Sequence, residues 1–155
     1  TLGRRSIYFR TSKEKKMTFL SLFDSANVSE CYRRSESIAP QQALAMVNSG
    51  LTLAQARLLA AELSQPPVSG HVIEDRPFID AAYRRVLGRA ATDAERQECE
   101  KFLAAQAARF RAPQTLSTFA GGADASVKPS PDPQQRAREN LVHVLFNHND
   151  FVTIR

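Results

Sequence analysis

The stretch from residue 74 to residue 111 constrains the fold more than any other part of the sequence. Gly88 stands where a glycine commonly ends a helix, and Thr92 with Glu95 has the spacing of a capping box that begins the next one. The pattern predicts two consecutive helices, over residues 74–87 and 93–111. Apolar residues recur in the first at three-and-four spacing, as on one buried stripe: Phe78, Ile79, Ala82, Tyr83, Val86 and Leu87. The inner side of the second is predicted to carry Cys99, Phe102, Leu103, Gln106 and Phe110.

Three further helices follow from the same kind of reasoning. Pro40 suits the first position of a helix that residues 48–50 (NSG) end. A second helix then continues to about residue 63, and a last one begins where Asp132 caps and Pro133 opens it. We expect this last helix to stop at residues 147–150, with an extended apolar tail over residues 151–154. The residues expected to face inward are Leu51, Ala54, Leu58 and Leu59 in the second helix and Ala137, Leu141, Val144 and Leu145 in the last.

These elements predict an all-α fold, an irregular bundle of about five helices in a single domain over residues 1–155. A length of 155 residues suits one domain, since domains commonly hold roughly 100–200 residues. We expect an extended arm and an ordered loop over residues 1–37, four helices over 40–111, a long mobile loop over 112–131, and the last helix and tail over 132–155. No run approaches the roughly 18 apolar residues of a membrane span. The chain begins with Thr1 rather than Met, so we expect it to be a piece of a longer protein.

The net charge of +5 is concentrated in the first 36 residues. A basic segment of this kind is either a solvated face or a site that attracts an acidic glycan or an acidic protein surface. Nucleic acid is disfavoured, because only Tyr8 and Phe9 supply aromatic groups near the basic residues. The candidate anion-binding residues are Arg4, Arg5, Lys13, Lys15 and Lys16.

The two cysteines fit neither a zinc pattern nor a C-x-x-C-H haem-attachment motif. Whether Cys31 and Cys99 are free or bridged stays open, because a disulfide requires a separation that sequence does not give. Arg33 and Arg34 lie close enough in sequence to lower the pKa of the Cys31 thiol and make it a nucleophile. A buried, inert cysteine is the preferred interpretation, since no protease signature surrounds it.

Histidines and acids offer only weak candidates for chemistry. His143 and His148 with Asp150 suggest a metal site, but a spacing of five residues puts the two rings on different sides of a helix. The preferred interpretation has Asn147, Asn149 and Asp150 bonding freed backbone groups at the helix end and turn. Glu95, Glu98 and Glu100 are interpreted as an exposed helical face. We therefore predict no catalytic centre, no metal site and no cofactor in this chain.

Several motifs taken together resemble a bacterial domain of unknown function. They are residues 4–8 (RRSIY), 23–24 (FD), 31–34 (CYRR), 40–44 (PQQAL), 47–48 (VN), 87–89 (LGR) with Thr92 and Glu95, and 145–151 (LFNHNDF). The chain resembles a planctomycete-specific domain found at the C-terminus of large proteins that also carry a planctomycete cytochrome c domain. It departs from that family at Ala39 and Gln41, where Thr and Leu are usual, and at Ala91 and Asp150, where Pro and Glu are usual.

The resemblance implies an exported protein, periplasmic or at the cell surface, in which other domains of the same polypeptide are the partners and hold any haem. It implies no reaction, since the family has no assigned activity. The leading hypothesis is a non-catalytic structural or interaction module, in which Asp24, Cys31, Arg33 and Arg34 fix a loop onto the first helix. One alternative is part of an enzyme acting on complex polysaccharide, with a site shared with an upstream region. Another is binding of acidic polymers through the basic N-terminal residues.

Overall fold

The computed structural model describes residues 22–23, 39–65, 74–112, 114, 116 and 125–152. Within these ranges the regular elements are helical and none is a strand, so the all-α prediction is confirmed. The predicted arm and loop over residues 1–37 lie outside the described residues, apart from Leu22 and Phe23. The helices are α1 (Ala39–Asn48), α2 (Gly50–Leu63), α3 (Asp75–Leu87), α4 (Asp93–Arg111), α5 (Pro133–Phe146) and α6 (Asn149–Val152).

The chain divides into two compact units between Ala45 and Met46. In the first unit, the Gln42 side chain donates a hydrogen bond to the Leu22 carbonyl at 3.1 Å. The second unit contains α2 to α6. The candidate sites described below lie within this second unit.

The ends of the longer helices are set by the residues that the sequence singled out. Gly88 follows α3 at φ 70°, in the left-handed region that glycine adopts without steric cost. The Thr92 hydroxyl accepts from the Glu95 N–H, and the Glu95 carboxylate accepts from the Thr92 N–H, which completes the capping box of α4. Asp132 accepts backbone hydrogen bonds at the start of α5, where Pro133 is the first residue. These predictions are confirmed.

The last long helix, α5, is the central element of the second unit. It packs against α2 and α4 along most of its length, and it also contacts α3 and the short α6. The largest fully buried side chains are Phe78, Ile79, Leu103 and Val142. Fully burying a side chain of this size contributes roughly 1.5–3 kcal/mol relative to leaving it in water. The core is therefore built around α5, with one or more of these residues from each of α3, α4 and α5.

The buried face of α5 is broader than the predicted one. Ala137, Leu141 and Leu145 are buried as predicted, and Arg138, Glu139 and Val142 are buried as well, whereas Val144 is 51% exposed. The prediction for Val144 is wrong because the buried stripe of α5 is centred about one position away from the predicted one. The charged Arg138 lies in the buried stripe, and a charged residue does not contribute to an apolar pattern. The prediction for Leu58 in α2 is also wrong, since its side chain is 50% exposed.

The predicted extended tail is wrong for residues 151 and 152. After α5 the chain turns once more into α6, and the His148 carbonyl accepts hydrogen bonds from the backbone N–H groups of Phe151 and Val152 at 2.9 and 3.1 Å. The Phe151 ring lies 5.3 Å from the ring of Phe146. This aromatic contact with the end of α5 holds the turn. Residues 153–155 lie outside the described residues.

Candidate functional site

Two adjacent charged residues are buried in α5. Arg138 and Glu139 have side chains that are only 6% and 8% exposed. Charged side chains are almost never fully buried unless they are paired. Each of the two indeed has its own set of partners, and each set joins segments that are far apart in sequence.

Arg138 connects α5 to the start of α3. Its guanidinium donates to an Asp75 carboxylate oxygen at 2.9 Å and lies 5.0 Å from the centre of the Phe78 ring, on which it stacks. The Gln134 side-chain amide donates to both oxygens of the same carboxylate at 2.9 Å. The Ser64 hydroxyl, just after α2, lies 3.4 Å from the guanidinium. This group of contacts therefore positions three helices at once.

Glu139 connects α5 to the segment that precedes it and to α2. Its two carboxylate oxygens accept from the Ser130 N–H at 3.1 and 3.3 Å. Arg57 of α2 lies 4.0 Å from the carboxylate and also donates to the Val127 carbonyl. Burial raises the pKa of Glu139 above its ordinary value, although the Ser130 N–H and Arg57 oppose that effect. The final part of the predicted mobile loop, residues 125–131, is thus bonded to two helices.

A half-enclosed pocket of about 190 Å³ lies beside this pair. We call it the α2–α5 pocket. The polar and aromatic residues that line it are Arg57, Phe110, Arg136, Glu139, Asn140 and His143. It is smaller than a typical site for a drug-sized ligand, which holds roughly 300–1,000 Å³, so it suits a ligand of one small ring or less.

Four lining residues show how the pocket is held. The Arg136 guanidinium stacks over the Phe110 ring, 4.4 Å from its centre. The Asn140 amide donates to the Gln106 side-chain oxygen at 3.2 Å. His143 Nε2 lies 3.4 Å from the Met46 carbonyl oxygen, and burial lowers the pKa of this histidine. Burial therefore favours the neutral form of this imidazole.

A second ion cluster ties the end of α3 to the starts of α4 and α6. Arg89 donates to both oxygens of Glu95 at 2.9 and 2.7 Å and to the Asp150 carboxylate at 3.0 Å. The Arg89 hydrogen bonds, helped by those from Thr92, lower the pKa of Glu95 to about 2. The interpretation of Glu95 as part of an exposed face is wrong, because capping and ion pairing hold it half-buried. Its strongly acidic carboxyl is unsuited to proton transfer near neutral pH.

Cys99 is a buried free thiol on the inner side of α4, as the stripe predicted. Its sulfur lies 3.7 Å from the Tyr83 hydroxyl. Burial raises the pKa of both groups above their ordinary values. A buried, protonated thiol is a packing residue rather than a nucleophile.

A shallow groove of about 450 Å³ runs along the outer side of α5 near its end. We call it the valine groove. Val144 and Val47 are 51% and 45% exposed there, and none of the described residues that line it is Asp, Glu, Lys or Arg. The lining residues are Val47, His143, Val144, Asn147, His148 and Asn149.

The helix end beside the groove is organised by hydrogen bonds. The Asn147 side chain donates to the His143 carbonyl at 2.8 Å, and the Asp150 N–H donates to His148 Nδ1 at 3.1 Å. The preferred interpretation of these polar residues as helix-end ligands is confirmed for Asn147. Over the described ranges, no group of three or more His, Cys, Asp or Glu side chains has the arrangement of a metal site.

The candidate residues taken from sequence motifs near the N-terminus are not among those that the structure describes. Asp24, Cys31, Arg33 and Arg34 lie outside the described residues, as do Arg4, Arg5, Lys13, Lys15 and Lys16, so the hypotheses that depend on them stay predictions. Sequence reasoning missed the α2–α5 pocket and both buried charges. For Arg138 the sequence does contain a signal. This residue stands three positions before Leu141 and four before Val142, and it therefore lies within an apolar stripe.

No helix among the described residues is long and apolar enough to span a membrane. No curated protein and no solved structure is significantly similar to the chain. A family model described as PSD1, protein of unknown function (DUF1553), matches residues 1–103, which is more than half of the chain and ends inside α4. The motif at residues 145–151 and most of the α2–α5 pocket lie beyond the matched range. The chain belongs to the PSD1 family of proteins of unknown function.

Proposed function

We propose that the chain is a non-catalytic interaction module of a larger exported planctomycete protein, and that the valine groove docks another domain of the same polypeptide. The observation that carries the proposal is the composition of this groove. Two large apolar side chains stand exposed in it, flanked by amide and imidazole groups and by no charged residue among those described. Charged residues make up 24% of the chain, and their depletion is typical of the core of a protein–protein interface.

The non-catalytic part of the proposal rests on how the ionisable groups are used. Glu95 and Arg138 are each held by several side chains or backbone groups that join one helix to another. Glu139 likewise anchors residue 130. These contacts stabilise the fold and leave the groups committed to it.

The setting is proposed from the resemblance of the chain. A domain of this kind accompanies a cytochrome c domain in large exported proteins, so we assign any haem to other domains, and place the protein in the periplasm or at the cell surface. Fractionation of cells that produce the tagged full-length protein tests the location. Recovery of the protein from the cytoplasm alone would contradict it.

Docking is tested in the full-length protein with two matched substitutions. Val144→Asp puts a charge into the valine groove, whereas Leu58→Asp puts the same charge on a side chain of α2 that is equally exposed (51% against 50%). We expect Val144→Asp to separate the domains, raising the radius of gyration in small-angle X-ray scattering and the rate of proteolysis between domains. Leu58→Asp should leave both quantities at the wild-type value. Wild-type scattering from both variants would refute docking at this groove.

One observation favours part of an enzyme acting on polysaccharide as a second candidate. Glu139 and His143 are one helical turn apart and line the same pocket, and burial raises the pKa of the first and lowers that of the second. Groups shifted in this way are typical of acid–base pairs. The test is turnover of a polysaccharide by the full-length protein. Loss of turnover in Glu139→Gln, with turnover retained in Glu98→Gln, would favour this candidate. Glu98 is the control because it is exposed and lies far along α4 from Phe110, the residue of that helix that lines the pocket.

A further inference from the structure

The α2–α5 pocket has a donor set and a charge that suit one class of small ligand. Arg57 and Arg136 contribute two positive charges, and Glu139 contributes one negative charge when ionised. Burial lowers the pKa of His143, which favours its neutral form. With Glu139 ionised and His143 neutral, these lining groups sum to one net positive charge, which a ligand with a single negative charge neutralises.

Arg136 is the group best placed to bind the charged end of a ligand. Its guanidinium is held over the Phe110 ring, 4.4 Å from the centre, and no carboxylate oxygen in the described part of the chain lies within 4 Å of it, although it is near enough to oppose the raised pKa of Glu139. No hydrogen bond to the described part of the chain occupies the N–H edges of this guanidinium. Those edges match the two oxygens of a carboxylate in a bidentate hydrogen bond.

Asn140 provides a complementary acceptor. Its Nδ2 donates to Gln106 at 3.2 Å, which fixes the orientation of the amide. Oδ1 is then the remaining polar atom of a residue that lines the pocket, and it accepts no hydrogen bond from the described residues. An acceptor of this kind binds a hydroxyl group that donates to it. An alcohol provides such a donor more readily than an inorganic anion does at neutral pH.

We propose that the α2–α5 pocket binds a small hydroxylated monocarboxylate, with the carboxylate on Arg136 and a hydroxyl on Asn140. Two sources share this chemistry, a uronic acid unit of an acidic glycan and a free hydroxy acid, and the volume of about 190 Å³ holds either. Phosphate fits less well, because much of it carries a second negative charge near neutral pH, which the Glu139 carboxylate repels when it is ionised. This inference does not rest on docking at the valine groove.

Isothermal titration of the 155-residue chain with galacturonate, galactose, glycolate and inorganic phosphate tests the proposal. We expect galacturonate or glycolate to bind at least about tenfold more tightly than galactose and phosphate, since a charge-assisted hydrogen bond accounts for about that factor. Preference for galacturonate over glycolate assigns the site to a sugar acid, and the reverse preference assigns it to a free hydroxy acid. Either result supports the proposal. Absence of binding by both carboxylates, or equal binding of phosphate, overturns it.

Two variants and one control locate the site. Arg136→Gln should weaken carboxylate binding by about tenfold or more, and Asn140→Asp should do the same by adding a negative charge of nearly the same shape. Arg84→Gln removes one charge from an exposed position of α3 and should leave the affinity unchanged. Far-UV circular dichroism and the melting temperature establish that each variant is folded. Unchanged binding by folded Arg136→Gln would overturn the assignment of the pocket.

Discussion

Replacement of the buried Arg138 by Met should destabilise the protein far more than the same replacement at the surface. Met keeps an unbranched apolar stem in the core but removes the hydrogen bond to Asp75 (2.9 Å) and the stacking on Phe78 (5.0 Å). A hydrogen bond to a charged group contributes roughly 1.5–3 kcal/mol, and a cation–π contact roughly 0.5–2 kcal/mol. We expect Arg138→Met to lower the free energy of unfolding by about 2–4 kcal/mol.

Urea unfolding followed by far-UV circular dichroism measures this loss, because the chain has no Trp for fluorescence. With a urea slope of about 1–3 kcal/mol per molar, the midpoint should fall by on the order of 1 M. Arg85→Met is the matched control. Arg85 pairs with Glu62 at 3.7 Å, but both side chains are 64% exposed, and such surface pairs contribute only about 0–1 kcal/mol.

A double-mutant cycle with Asp75→Asn separates the ion pair from the rest of the Arg138 environment. Since the Asp75 side chain is 33% exposed, water stabilises its carboxylate in part when the arginine is removed. The coupling energy between the two positions should be about 1–2 kcal/mol. A loss for Arg138→Met within about 0.5 kcal/mol of that for Arg85→Met, or a coupling near zero, would refute the role given to this contact.

Three further predictions concern the backbone, the ion cluster and the thiol. Gly88→Ala should lower the free energy of unfolding by roughly 1–2 kcal/mol through backbone strain alone, because φ is 70° and nothing lies within 4 Å of the added methyl group; an unchanged urea midpoint would contradict this. Since Arg89 lowers the pKa of Glu95 in the folded protein from an ordinary 4.5 to about 2, stability from this pair is fully present above pH 4.5 and is lost as the pH falls towards 2. The urea midpoint should therefore fall less steeply with acidity in Glu95→Gln than in the wild type, and equal slopes would argue against the pair. In a Cys31→Ser variant, Cys99 should react with a thiol-specific disulfide reagent only as fast as the protein unfolds, because the thiol is buried and its pKa is raised; immediate labelling of the native protein would count against that burial.

The candidate sites were much less predictable than the helices. The groups that form the α2–α5 pocket come from α2, α4 and α5 and from the segment before α5, so that no short motif contains them. Arg57 and the Val127 carbonyl are 70 residues apart. Cys31, Arg33 and Arg34 form a compact motif in sequence, yet they lie outside the described residues. Arg57 and Arg136, which line the pocket, belong to no recognisable sequence motif.

The long helices and their ends are predictable from local sequence, because they depend on interactions within a few residues. Gly88, the capping box of Thr92 and Glu95, and Asp132 with Pro133 each act on the backbone beside them. The central place of α5 in the second unit, the burial of its two charged residues and the choice of their partners emerge only when the helices pack together. Those outcomes depend on side chains that approach across 59 to 74 residues of chain, as Gln134 does with Asp75 and Arg138 with Ser64, and a local pattern of apolar residues holds no information about such distant partners.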